Sequence, residues 1–160
     1  TVSKSYMPPL PIAKPRYIDI IEAINRPIAK SKPWTVGLFE GAIAVDILDK
    51  QNLSERNRFN LILLDSTLEI SFKEYLVNES GQYYSDLALL NLFKNRHQVH
   101  LEVQKTKPFS PDYWKKVEYY YSLRCKLVHE RASVGITDIQ IQDYRELVQN
   151  SLGDLFGLKF

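Results

Sequence analysis

Between Val36 and Phe156 the apolar positions recur every three or four residues in long runs with few breakers, the periodicity of helices with one buried face. Four to five longer helices joined by polar turns follow. The first spans Val36 to Lys50, with Leu38, Ala42, Val45 and Leu48 on one side, and ends at Gln51-Asn52. The second spans Ser54 to Val77 and stops before the turn-forming Asn78-Glu79-Ser80-Gly81. A third starts with Ser85 as cap, carries Leu87, Leu90, Leu92 and Phe93, and continues through His97 and Val103 to Lys107-Pro108. The fourth has the clearest start, with Ser110 as N-cap, Pro111 at the first helical position and Asp112 at the positive end of the dipole, and extends to Arg131. A fifth helix begins at Thr137, whose hydroxyl and the Gln140 amide form a capping box, and runs to Phe156, with Gly157 as the stop. Without β-alternation of useful length, helix must pack on helix. The expected fold is all-α, an up-down bundle of four to five helices over residues 34–160.

Residues 1–33 read differently. Pro8, Pro9, Pro11, Pro15, Pro27 and Pro33 each remove a backbone donor and disfavour helix in the preceding residue, so this segment is expected to be a proline-bearing linker or arm. Only Tyr17 to Asn25 has room for a short helix, with Ile18, Ile21 and Ile24 at helical spacing. The Pro8-Pro9-Leu10-Pro11 stretch reads as a stiff spacer ahead of a polyproline ligand. A start at Thr1, without Met, is expected of a C-terminal module of a longer polypeptide.

Composition narrows the setting. At 160 residues the chain suffices for one hydrophobic core, and no apolar run is long enough to span a bilayer. A single cysteine, Cys125, excludes an internal disulfide, and no secretory leader pattern opens the sequence, so a cytoplasmic location is expected. A formal charge of +2 argues against a uniformly basic nucleic-acid-binding surface but allows a local one.

The chemistry concentrates late in the fourth helix. At about 100° per residue, Tyr113, Val117, Tyr120, Tyr121, Cys125 and Val128 share one broad arc, and Arg124 falls near its middle. His129 lies about 140° further round, near the helix end. An arginine on a buried stripe needs a partner, since an unpaired guanidinium is costly to desolvate. The second helix offers Asp65 and Glu69, one turn apart inside its apolar arc between Phe72 and Ile62. Three readings stay open: a structural ion pair, a guanidinium that snorkels out along the tyrosines, and a phosphate-gripping side chain oriented by Asp65 or Glu69. For His129 the alternatives are a cap on the helix dipole and a functional imidazole.

Arg124-Cys125-Lys126-Leu127-Val128-His129 resembles the motif of the HEPN superfamily, an arginine and a histidine separated by four to six residues. Its place late in a penultimate long helix is also similar, as are the flanking Tyr119-Tyr120-Tyr121-Ser122-Leu123 and Glu130-Arg131 and the second-helix stretch Leu64-Asp65-Ser66-Thr67-Leu68-Glu69. The resemblance extends over Trp34 to Phe160. It implies a metal-independent endoribonuclease, with no cofactor, acting where two copies of the motif face one cleft of a homodimer. Arg124 would hold the scissile phosphate and His129 would be general acid or base. The implied setting is the effector end of a larger bacterial defence or toxin-type protein, with RNA, other domains of the parent chain or an antitoxin as partners. Cys125 stands where family nucleases usually carry Asn, Asp or His, so the resemblance equally admits the family's non-catalytic dimerising or RNA-binding modules.

Elsewhere the signals are weaker. From Lys94 to Arg131 bases outnumber acids, so Lys126 and Arg131 are candidate backbone contacts and Tyr120 a candidate base-stacking ring, although tyrosines at this spacing are more often core. His97 and His100 have ligand-compatible spacing, but without acids or cysteines to complete a metal site they read as a solvated helix face. The six glycines are scattered, which excludes a phosphate-cradling loop. Cys125, on the apolar stripe, reads as a small core residue.

Overall fold

The computed structural model describes residues 16–130 and 135–160, and these form an all-helical bundle. Its helices are α1 (Arg16–Ser31), α2 (Val36–Asp49), α3 (Arg56–Asn78), α4 (Asp86–Leu92), α5 (Arg96–Thr106), α6 (Pro111–His129) and α7 (Asp138–Phe156), with a 3-10 turn at Pro33–Thr35. No helix among the described residues is long and apolar enough to cross a membrane.

Helix α3 is the axis of the bundle and packs against α2, α5, α6 and α7. Its buried face of Leu61, Leu64, Leu68, Phe72 and Leu76 meets Leu38, Ala42 and Val45 of α2, Val99 and Val103 of α5, and Ile141, Tyr144, Val148 and Leu152 of α7 in one continuous core. Ser85, Ser110 and Thr137 each accept from the backbone N–H three residues on, so the predicted caps form. The Thr137/Gln140 capping box is complete, and Gly157 ends α7 with a φ of 79°, a left-handed conformation that suits glycine.

Two expectations about the elements require correction. The predicted third helix is two helices, because the chain turns at Phe93-Lys94-Asn95 and restarts with Asn95 as a new N-cap, its side chain accepting from the Gln98 N–H. An asparagine inside a periodic run is such a signal. The helix expected over 17–25 instead runs to Ser31, straight through Pro27. The backbone bond that Pro27 forfeits is offset by packing beyond it, where Ile28 and Ala29 meet the core, and by Asn25 before it. Asn25 is fully buried and exchanges two hydrogen bonds with the backbone of Lys159, donating to its carbonyl at 2.7 Å and accepting from its N–H at 2.8 Å. Of the three predicted isoleucines, Ile18 is buried, Ile21 is half-buried and Ile24 faces outward.

Helices α2 and α3 approach closely at Gly41, where an added Cβ would lie 2.5 Å from Thr67 Oγ1. Threonine is stiff at χ1 and cannot swing away freely. Gly41→Ala is therefore expected to destabilise the fold by about 1 kcal/mol or more despite alanine's better helix propensity. In a Thr67→Ala background the same change should become stabilising, and denaturant titration of both pairs would detect the absence of this sign reversal.

Candidate functional site

The polar centre of the bundle is Asp65, fully buried on α3. Four donors converge on its carboxylate. Arg96 of α5 forks onto it, Nη2 donating to Oδ1 and Nη1 to Oδ2, both at 2.8 Å. The hydroxyl of Tyr144 on α7 donates to Oδ1 at 2.7 Å, and Nε of Arg124 on α6 donates to Oδ2 at 2.9 Å. Each oxygen thus receives two hydrogen bonds, the full capacity of a carboxylate. One turn further along α3, Glu69 accepts from Arg96 Nη1 at 3.4 Å and from Lys73 at 2.9 Å.

The two arginines share more than Asp65. Their guanidinium carbons lie 4.0 Å (Arg96) and 5.3 Å (Arg124) from the centroid of the Tyr121 ring. The Cys125 thiol beside the Tyr121 hydroxyl, together with burial, pushes the phenol up from its ordinary value. Cys125 is half-buried, forms no disulfide and lies one turn from Tyr121 at the edge of this cluster, outside the apolar core in which the sequence suggested it would sit.

The arginines differ in access. The Arg96 side chain is 7% exposed and that of Arg124 is 24% exposed. Burial opposes both charges, but the hydrogen bonds to Asp65 outweigh it and hold both guanidinium groups above their ordinary value. Among the described residues Arg124 donates only through Nε, which leaves both terminal nitrogens unpaired.

His100, expected on a solvated face, is buried instead. Its Nε2 accepts from Arg96 Nε at 3.4 Å, its Nδ1 meets Glu118 at 3.1 Å, and its ring packs against Phe72 and Trp114. Trp114 is itself held by the side chain of Gln104. Burial and the Arg96 charge, with a smaller push from His97, drive the His100 pKa below the ordinary 6.5, while Glu118 acts in the opposite direction. With the folded value depressed, the unfolded chain binds the proton first, so this contribution to stability is intact above about pH 6.5 and declines as pH falls through that value. Thermal melts between about pH 7.5 and about pH 5.5 should show a smaller loss for His100→Gln than for the wild type. Equal losses would refute this account of the ring.

Among the predicted site residues, the structure brings together Arg124, Asp65 and Glu69, and leaves others apart. His129 is the last residue of α6, is exposed, and makes no hydrogen bond or ion pair to that cluster among the described residues. Tyr120 is not a stacking platform. It is 4% exposed, its ring lies parallel to Tyr144 at 4.4 Å, and its hydroxyl donates to Asp143 at 2.6 Å. Tyr119, its neighbour, is the exposed ring. Lys126 is exposed, whereas Arg131 lies outside the described residues. Val128, placed on the buried arc by the wheel, is 52% exposed because the buried stripe of α6 runs through Val117, Tyr120 and Leu127, and Val128 is turned about 100° from Leu127.

Part of the predicted excess of bases is engaged in ion pairs, Arg96 with Asp65, Lys105 with Glu102, Lys115 with Asp112 and Lys116 with Asp143, and Lys94 and Lys126 are the exposed bases of this region without an ion pair among the described residues. An open cleft of about 510 Å³ along α7, bordered by the end of α2 and the start of α3, does not substitute for the site, since Asp49, Asp138, Asp143 and Glu146 against Arg56 give it a net negative lining. Among the described residues no group of three His, Cys, Asp or Glu side chains is placed to hold a metal ion.

Sequence reasoning missed Arg96 and Tyr144. The signal for Arg96 was present in Arg96, Val99, His100 and Val103, which repeat at helical spacing and are all buried. No protein-family model, no curated protein and no solved structure matches this chain.

Proposed function

We propose that this chain is a metal-independent endoribonuclease of the HEPN type, acting on single-stranded RNA in the cytoplasm as the effector module of a larger bacterial defence or toxin-type protein. The observation that carries the reading is the posture of Arg124. Asp65 holds it through Nε alone, and among the described residues its terminal nitrogens have no hydrogen-bond partner. A guanidinium oriented on one edge and open on the other suits a phosphodiester oxygen pair. In this role Arg124 grips the scissile phosphate and offsets the charge that builds on it.

His129 supplies the acid-base chemistry. An imidazole takes the proton from the ribose 2′-hydroxyl, the 2′-oxygen attacks phosphorus, the bond to the 5′-oxygen breaks, and that oxygen receives a proton. A 2′,3′-cyclic phosphate and a 5′-hydroxyl result. Because Arg124 and His129 point about 140° apart on α6, the pair is completed across two copies of the chain, with Arg124 of one and His129 of the other on the same phosphate. Lys126, exposed between them, adds backbone attraction.

Cleavage of single-stranded RNA in the presence of chelator tests this. His129→Ala is expected to slow cleavage by ~10²–10⁴-fold with melting behaviour unchanged. Equal cleavage by wild type and variant would overturn the assignment.

A second reading is favoured by a specific observation, the full burial of Asp65 beneath Arg124. There Arg124 is a structural ion pair and the chain a non-catalytic dimerising or RNA-docking module. Absence of cleavage by the wild type, together with loss of thermal stability in Arg124→Ala, would establish that reading.

A further inference from the structure

The saturated carboxylate of Asp65 sets up a competition between two guanidinium groups. Arg96 occupies one position on each oxygen, Tyr144 takes the second position on Oδ1, and a single position, on Oδ2, is left for Arg124. Arg124 therefore has no way to fork onto Asp65. Were Arg96 absent, one acceptor position would open on each oxygen, and an arginine beside a buried carboxylate with two free acceptors adopts the bidentate arrangement. Its terminal nitrogens would then turn inward.

Charge points the same way. Arg96, Arg124 and Lys73 directly face Asp65 and Glu69, three cations against two carboxylates, and the nearest further carboxylate, Glu118, stands beyond His100. Without Arg96 the cluster loses one cation, and its attraction for an anion at Arg124 weakens. Arg96 is itself held from behind, its Nε on His100 and His100 on Glu118, while Tyr121 lies beneath both guanidinium groups.

We infer that Arg96 is the positioning residue for Arg124: by filling Asp65 it confines Arg124 to one Nε contact and keeps the outer edge of that guanidinium available to a phosphodiester. The inference rests on the phosphate-binding role given to Arg124 above. Arg96 touches no substrate and acts only through the shared carboxylate.

The test uses the full chain and a single-stranded 2′-O-methyl RNA, which cannot be cleaved, with binding read by fluorescence anisotropy at fixed salt. Arg124→Ala is expected to weaken binding roughly tenfold, the scale of a charged hydrogen-bonded contact. Arg96→Met should weaken it by a similar factor although Arg124 is intact, and the double variant should be no weaker than either single one. Arg96→Lys keeps the charge and much of the volume but fills only one acceptor position, and is expected to lose several-fold.

A second readout follows the Arg124 side chain directly. In the Arg96 variants its terminal N–H resonances should sharpen and separate as rotation about the guanidinium is hindered by the new fork. If Arg96→Met fails to melt cooperatively, Arg96→Lys decides. Wild-type affinity in a folded Arg96 variant, with Arg124→Ala still weakened, overturns the inference and leaves the reading of Arg124 standing. Wild-type affinity in Arg124→Ala, or no binding by the wild type, overturns the reading itself.

Discussion

Asp65→Ala is expected to lower the free energy of unfolding by about 3–5 kcal/mol, the scale of breaking a buried ion pair by removing one partner. Alanine at this position strips four hydrogen bonds at once. Arg124 is exposed enough to find water, but the Arg96 side chain and the Tyr144 hydroxyl are not, and each would be left buried without its acceptor. Glu69, at 3.4 Å from Arg96 and already bonded to Lys73, compensates only in part. Since small domains are stable by only about 5–15 kcal/mol, the variant should lose a large share of its stability. Urea titration gives the number, and a loss below about 1 kcal/mol would show that the cluster is not a structural centre. The penalty comes from orphaned groups rather than from a lost attraction. Replacing Arg96 by methionine in the Asp65→Ala background should therefore restore part of the stability, a non-additivity that independent contacts would not produce.

Phe72→Ala should cost a similar ~3–5 kcal/mol by a different route, the lost transfer of a phenyl ring plus the cavity it leaves. Phe72 is fully buried, 5.3 Å from the His100 ring at a near-perpendicular angle and 5.4 Å from Trp114. It walls off His100, whose suppressed basicity depends first on burial. Truncation should therefore raise the His100 pKa as well as lower the urea midpoint, and an NMR titration of the imidazole follows the first effect independently of the second. A folded variant whose His100 titrates as in the wild type would separate the ring from the aromatic wall.

Local rules in the sequence reported well on element ends. Ser85, Ser110, Thr137 and Gly157 act locally, through one or two hydrogen bonds to the adjacent backbone, and all four sit where those rules place them. For Arg124 the sequence narrowed the partner to Asp65 or Glu69, the two carboxylates on the apolar arc of the second helix, and the structure pairs it with Asp65. Arg96 and Tyr144 were less legible. Each is an ordinary residue in its own helix, and its role arises from the way α5 and α7 close around α3, a tertiary arrangement that no single helical wheel contains. Tyr120 failed for a related reason. Three consecutive tyrosines cannot share one side of a helix, and the sequence does not say which ring turns inward until Tyr144 of α7 is in place beneath Tyr120. Pro27 shows the opposite bias, a local breaker overruled by burial on both sides of it.

The reciprocal bonds between the Asn25 amide and the Lys159 backbone reproduce one rung of an antiparallel ladder, with a side chain standing in for a strand. That rung spans 134 residues of sequence and latches the first described helix to the last few residues of the chain. Mechanical load applied to either end is therefore borne by the other, and α1 cannot peel away from the bundle while the tail beyond α7 stays seated.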